Sequence, residues 1–468
     1  MNPSIKILLP ASLLLFSACT MGPDYKNPET HLETPWAEAP AGRVSQELIE
    51  QKWWERFDDP LLEGYIEQAM RENRNLRAAE ARIQRARALR RETNADFYPT
   101  LDAEGGHTRQ RNSASSTTNG STSTSTYQAG LNASWEIDLF GGTRRADEAS
   151  EARLQMTVEE KRGLQIMVLA EVARNYYDVR GIQKRIDITK QNIALQSQTF
   201  KLVDQLLQLG EASEFDLVRA KGQLQTTASL LPELDAELKA GIYRLSILLG
   251  QAPGTLLAEM TTVAPLPSPP ELVPVGQLSD ILRRRPDIRV AERELAAATA
   301  DVGVATADLF PSFVLLGSVG RTSNSIDGLR DSPNNRWGFS QFIQWPLFQG
   351  GEIRAQIEAE KAEVTEALAL YEQTILEALA DVEISLIQYL RELDKKLVLQ
   401  DARQSRQRSV ELARVRFNLG EENFLSVLDA ERELTQAEDD LVDSEIQSML
   451  RLITLYTALG GGWEALEE

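Results

Sequence analysis

The sequence predicts an internally duplicated α+β chain, with long paired helices carrying four strands between them. Three observations predict it. First, residues 73–101, running from Asn73-Arg74-Asn75-Leu76 to Tyr98-Pro99-Thr100-Leu101, recur at 285–313, from Arg285-Pro286-Asp287-Ile288 to Phe310-Pro311-Ser312-Phe313, an offset of 212. Leu209-Gly210-Glu211 returns as Leu419-Gly420-Glu421 and Leu249-Gly250 as Leu459-Gly460, both at an offset of 210. A period this long is not a solenoid repeat; it marks two fused, domain-sized copies. Second, apolar residues between 353 and 397 fall mostly three and four apart, the seam of a coiled-coil-like helix. Third, 127–138 alternates, with Tyr127, Ala129, Leu131, Ala133, Trp135 and Ile137 on one face and Gln128, Asn132, Ser134, Glu136 and Asp138 on the other.

Taken in order, residues 1–18 read as a secretory signal peptide. Lys6 precedes an apolar run from Ile7 to Phe16, too short to span a bilayer, and Ser17-Ala18 precede Cys19. Cys19 is the only cysteine, so no disulfide forms within the chain. Small residues before it resemble a bacterial lipobox, with Phe16 in place of the commoner Leu, and a covalent lipid on Cys19 is expected. The alternative is cleavage elsewhere, leaving a free thiol. Thr20 stands where an Asp would signal inner-membrane retention, which points to outer-membrane delivery. Residues 19–59 read as a lipid-anchored tether, Pro-rich and polar over 20–50 and extended along the protein's surface.

The first structural repeat, 60–250, comprises a helix at 60–97, strands near 99–111 and 126–138, a long helix at 143–209, a break at Gly210 and a helix at 213–249. The Ser/Thr/Asn/Gly run from Asn112 to Thr126 reads as an exposed hairpin loop. Pro232 should kink the last helix, and the second repeat has no matching proline. A linker covers 251–278. The second repeat, 279–460, has a helix at 279–309 stopped by Pro311, a strand over 313–321, a turn-rich stretch at 322–336 and a strand over 337–347. After Gly350-Gly351 a helix of about 68 residues, roughly 100 Å long, runs to the break at Gly420. A last helix reaches Leu459, and Gly460-Gly461-Gly462 caps it before the tail at 461–468. The two short helices of each half add up to about the length of its long one, so the economical packing lays the long helix beside two short ones end to end.

One apolar and one charged strand face fit either a membrane barrel or the half-exposed sheet of a soluble domain. Four strands cannot close a barrel alone, since bacterial barrels start at about eight; in a membrane several chains would have to share one. No catalytic chemistry is legible. The two histidines, His31 and His107, have no Cys or second His nearby, and there is no phosphate-binding or dinucleotide loop. The chain reads as no enzyme, with no cofactor beyond the lipid on Cys19. A net charge of −20 argues against nucleic acid as partner.

Several longer motifs carry a family resemblance: Gly22-Pro23-Asp24-Tyr25, Trp53-Trp54, Phe57-Asp58-Asp59-Pro60-Leu61, Trp135-Glu136-Ile137-Asp138-Leu139-Phe140-Gly141, Leu282-Arg283-Arg284-Arg285-Pro286-Asp287-Ile288, Leu347-Phe348-Gln349-Gly350-Gly351 and Leu455-Tyr456-Thr457-Ala458-Leu459-Gly460-Gly461-Gly462-Trp463. Together they span nearly the whole chain and resemble the OprM/TolC family of outer membrane efflux channels, in its lipoprotein branch. Phe16 and Pro232 depart from that pattern. The resemblance implies an α+β membrane protein that is closed by trimerisation. Each chain of the homotrimer would give four strands to a twelve-stranded barrel in outer-membrane lipid, and its helices to a coiled-coil-like periplasmic tunnel. It implies a passive duct for small molecules or drugs, working with a periplasmic adaptor and an inner-membrane transporter of RND type. Alternatives are the outer-membrane component of type I protein secretion or of metal efflux, and, outside the channel class, a lipid-anchored periplasmic scaffold.

Two sets of residues follow. Leu209, Gly210, Glu211, Leu419, Gly420 and Glu421 lie at the helix reversals farthest from the strands, where an adaptor would meet the duct end-on. Leu425 and Asp429, four apart on one helix face, match by resemblance the apolar and acidic positions that ring the closed periplasmic aperture. Asp216 and Arg219, in the facing turn of the first repeat, could pair with that gate helix, though Arg219 aligns with Asp429 itself.

Overall fold

A computed structural model describes residues 20–28, 36, 43–45, 47, 50–111, 123–267, 269–270 and 272–466. Cys19, the signal peptide, His31 and the hairpin loop at 112–122 lie outside the described residues. In chain order the elements are β1 (Val44–Ser45), α1 (Pro60–Glu72), α2 (Arg74–Ala95), β2 (Thr100–Arg111), β3 (Ser123–Glu136), α3 (Gly142–Gln208), α4 (Glu214–Ala228), α5 (Leu230–Leu248) and α6 (Leu257–Met260). There follow β4 (Val273–Pro274), α7 (Leu278–Arg284), α8 (Pro286–Ala307), β5 (Ser312–Ser323), β6 (Asn335–Gln344), α9 (Glu352–Asn418) and α10 (Phe424–Ala458). The long helices α3 and α9 have 67 residues each, about 100 Å at a rise of about 1.5 Å per residue.

The chain divides into two compact units, one holding 82–158 and 290–372 with the described part of the N-terminus up to 29, the other holding the rest. The first unit contains a four-stranded antiparallel sheet in the order β2-β3-β5-β6, with β2 and β6 as free edges. Residues directly opposite share a face. Leu101 stands opposite Ala133, which stands opposite Gly317 and then Phe339; Ala103 leads through Leu131 and Val319 to Trp337. One apolar face therefore runs across all four strands, and Trp337, Phe339 and Ile343 on it are largely exposed. On the other face Glu104 of β2 and Arg336 of β6 form an ion pair at 2.9 Å, edge strand to edge strand. The backbone between them is Gly130 and Gly320, where an added Cβ would stand 2.8 and 2.6 Å from the neighbouring strand's carbonyl. That reach requires the sheet to curl with its polar face inward.

Residues 20–25 also belong to this unit. The buried Arg145 donates to the Met21 carbonyl at 3.1 Å and holds Asp24 at 2.7 Å. Gly22 lies so close to Gly303 that a Cβ would approach its Cα to 2.4 Å. Tyr25 packs on Ala296 and Ala297 and donates a hydrogen bond to Glu292 at 3.3 Å.

In the second unit the helices expected at 60–97 and 279–309 are each broken at the same place in the repeat. Asn73 ends α1 and accepts from the Asn75 and Leu76 amides, capping α2; Arg285 separates α7 from α8, whose first residue is Pro286. Both breaks are joints. Asn73 donates to the Leu248 carbonyl at 2.9 Å, and Arg285 to the Ala458 carbonyl at 2.8 Å. So the end of α5 meets the start of α2, and the end of α10 the start of α8, with Asn73 and Arg285 bonded across the joints. The helix that Pro232 is expected to kink is interrupted at Ser229, between α4 and α5, where the backbone itself stays helical, since proline forfeits the amide that would bond one turn upstream. The stretch expected as a surface tether is partly built in. Val44 and Ser45 pair in parallel with Val273 and Pro274, the Trp36 indole donates to Gly276, and Trp53, Trp54 and Phe57 are buried.

Candidate functional site

The two chain reversals of the second unit are built alike. After α3 the Gly210 amide bonds to the Leu207 carbonyl at 3.0 Å and the Glu211 amide to Leu206 at 2.8 Å. After α9 the Gly420 amide bonds to Phe417 at 2.9 Å and the Glu421 amide to Arg416 at 3.0 Å. Gly210 and Gly420 take φ values of +77° and +74°, the left-handed conformation that satisfies the last carbonyls of a helix. The next helix starts on a polar cap. Ser213 accepts from the Asp216 amide, with Asp216 reaching back to Ser213; Asn423 accepts from the Ser426 amide.

The reversals share one core. Val203, Ala220, Phe424, Val427 and Leu428 are buried together, with Phe417 meeting Phe424 at 5.7 Å between ring centres. Outside it, Leu209 and Leu419 are about 70% exposed, at 73% and 68%, and Phe215 and Val218 are exposed too. An added Cβ at Gly210 or Gly420 would meet no described atom within 4 Å. Both turns present backbone and leucine to open space.

Leu425 and Asp429 lie on the outer side of this core. Leu425 is 37% exposed, and among the described residues Asp429 has an ion-pair contact with Arg432, at 3.8 Å. Asp216 and Arg219 do not reach the gate helix. Asp216 is held in its own cap, and the Arg219 guanidinium lies over the Phe215 ring at 5.4 Å. The acid that does join helices here is Glu431, which sequence reasoning missed. Its carboxylate is buried and takes hydrogen bonds from Thr199 of α3 at 2.7 Å and from Arg414 of α9 at 2.7 Å, so one residue of α10 ties three helices. The signal available was its place on the apolar seam, three residues before Leu434 and three after Leu428.

Among the described residues no helix is long and apolar enough to cross a membrane, and no group of three or more His, Cys, Asp or Glu is placed to hold a metal ion. Neither fact bears on a β-barrel.

The profile of the outer membrane efflux protein family matches residues 65–251 and 277–461, one segment per repeat. The chain is 31% identical over 462 residues to the solvent efflux pump outer membrane protein SrpC of Pseudomonas putida, covering 97% of both. It is 30% identical over 460 residues to the cation efflux system protein CusC of Escherichia coli O157:H7, covering 98% of this chain and 99% of CusC. Among solved structures, the outer-membrane channel OprN superposes with a TM-score of 0.89 at 35% identity, over 95% of this chain and all of that one.

Proposed function

This chain belongs to the outer membrane efflux protein family and is the outer-membrane channel of an efflux pump, and we propose that three copies close one barrel from their sheets and one duct from their helices. The sheet carries the proposal. It has a continuous apolar face, a polar inner face and two free edges, β2 and β6. Unpaired edges cannot stand in hydrocarbon, so each must find a partner. The strands alternate in direction, so β6 of one copy can pair antiparallel with β2 of the next, and a head-to-tail contact of this kind closes into a ring. Three sheets of four strands give twelve, above the about eight a barrel needs.

The remaining parts follow from that frame. Cys19 carries the lipid, one residue before Thr20, which packs on Gly141. The exposed reversals at Leu209, Gly210, Glu211, Leu419, Gly420 and Glu421 receive a periplasmic adaptor that connects the duct to an inner-membrane transporter of RND type. Leu425 and Asp429, repeated three times, form the apolar and acidic rings of the periplasmic aperture. The duct itself performs no catalysis. Its cargo is small organic molecules, a reading supported by the solvent named for SrpC; CusC, named for cation efflux, supports metal ions as the second reading. Deleting the gene should lower tolerance to organic solvents and drugs and leave tolerance to transition-metal salts unchanged. Loss of metal tolerance alone would reassign the cargo to metal ions, and no change in either would overturn both cargo readings.

A further inference from the structure

The first repeat borders a groove beside the junction of its two short helices. At Ser229 the chain parts into α4 and α5, whereas α10 runs unbroken past the equivalent residue, Asp439. Between α3, the α4–α5 kink and α10 lies a groove of about 450 Å³, within the range of about 300–1,000 Å³ typical of small-molecule sites. It lies wholly inside the second unit.

Its floor is buried and mixed in chemistry. Thr189 and Asn192 of α3 and Thr227 of α4 supply polar groups, and Leu234 and Val442 supply apolar ones. Asn192 is 5% exposed, and its Nδ2 has no hydrogen-bond partner. Buried amides without partners are rare in folded chains, and Asn192 leaves an open N–H donor in the wall of the groove.

The rim decides the sign of that occupant. Arg185 is engaged by Asp439 at 2.9 Å, and Arg432 has Asp429 beside it at 3.8 Å. Glu233 and Glu237 of α5 are exposed, line the groove, and have no ion-pair partner among the described residues. They stand four apart and share a helix face. With Arg185 and Asp439 paired and Arg432 only loosely held, Glu233 and Glu237 outnumber the one remaining cation, so the lining is net negative above an apolar wall and an open amide.

We propose that this groove binds an amphipathic organic cation, with its ammonium or iminium group between Glu233 and Glu237, its apolar body on Leu234 and Val442, and a polar substituent completing Asn192. The site differs from the aperture residues and from the turn tips, and direct binding tests it whatever the channel conducts.

The experiment uses the full-length purified protein in non-ionic detergent. Fluorescence anisotropy reads binding of rhodamine 6G, a monovalent amphipathic cation, against fluorescein, an anion of similar size. The expected result is saturable binding of rhodamine 6G alone. It should weaken at least tenfold in Glu233→Gln/Glu237→Gln and in Asn192→Leu, and stay unchanged in Glu363→Gln/Glu366→Gln, which removes the same charge elsewhere. Asn192→Leu should melt no lower than the parent, because it removes an unpartnered buried amide. The proposal is overturned by absence of saturable binding, by equal affinity for fluorescein, by equal weakening in both double variants, or by an Asn192→Leu protein that binds normally.

Discussion

Asp429 and Glu431 are two residues apart and live in opposite surroundings. Asp429 faces solvent with a loose contact to Arg432, whereas Glu431 is sealed between Thr199 and Arg414. Only the exposed one is free to act on a passing ion. Three copies of Asp429 around an aperture would repel one another and attract cations, and three copies of Leu425 would narrow the same opening. The checkable outcome is in planar bilayers. Leu425→Ala/Asp429→Ala should raise the resting conductance of the purified channel and reduce its preference for cations; parental values for both would put the constriction elsewhere. The residues of this neighbourhood were unequally legible. Leu425 and Asp429 are singled out by family motif alone, since spacing does not separate them from many other acidic helix positions. Glu431 and Arg145 were missed because a buried charge and a solvated one look the same in sequence. Within one chain Asp216 and Arg219 each find a partner in their own turn, a local bond that competes with any reach across helices.

At the level of elements, glycine and proline were informative and polar caps were not. Gly210 and Gly420 interrupt apolar periodicity and do reverse the chain. Asn73 leaves the periodicity intact, so the joint it makes was invisible, and Pro286 was readable as a first helical residue but was passed over. The turn glycines give a test that separates conformation from contact. Ala at either site must adopt the left-handed backbone, which costs roughly 1–2 kcal/mol, but its methyl enters empty space. Gly210→Ala/Gly420→Ala should therefore assemble and export an ethidium-type dye nearly as the parent does. Gly210→Trp/Gly420→Trp carries the same backbone strain and adds bulk where an end-on partner would sit. It should abolish export while trimers remain in the outer membrane. Normal export by the Trp variant would remove the tips from the docking surface.

For the molecule as a whole, duplication was the part most legible in sequence, because a register held over half the chain survives divergence of individual residues. Oligomeric state was not legible bottom-up. Two free sheet edges say that a partner is needed, and only the closure of a ring says how many. Mass measurement of the detergent-solubilised protein should give three chains of at most 52.2 kDa each, before removal of any signal peptide and apart from lipid. A stable water-soluble monomer after signal removal would end the shared-barrel reading.

The two helix joints bear on how the chain reaches this state. Asn73 meets the Leu248 carbonyl across 175 residues, and Arg285 meets that of Ala458 across 173. Each tip reversal, by contrast, is closed by amide bonds only three to five residues long. Loop closure becomes entropically harder as the loop lengthens, so local contacts form before distant ones. Each hairpin should therefore zip from its tip, and each joint should lock last, like a clasp on a rod already formed. In pulse-labelled hydrogen exchange during refolding, amides of α4 and the first turns of α10 should gain protection before those that open α2 and α8. Simultaneous protection would mean that the joints form part of the nucleus instead.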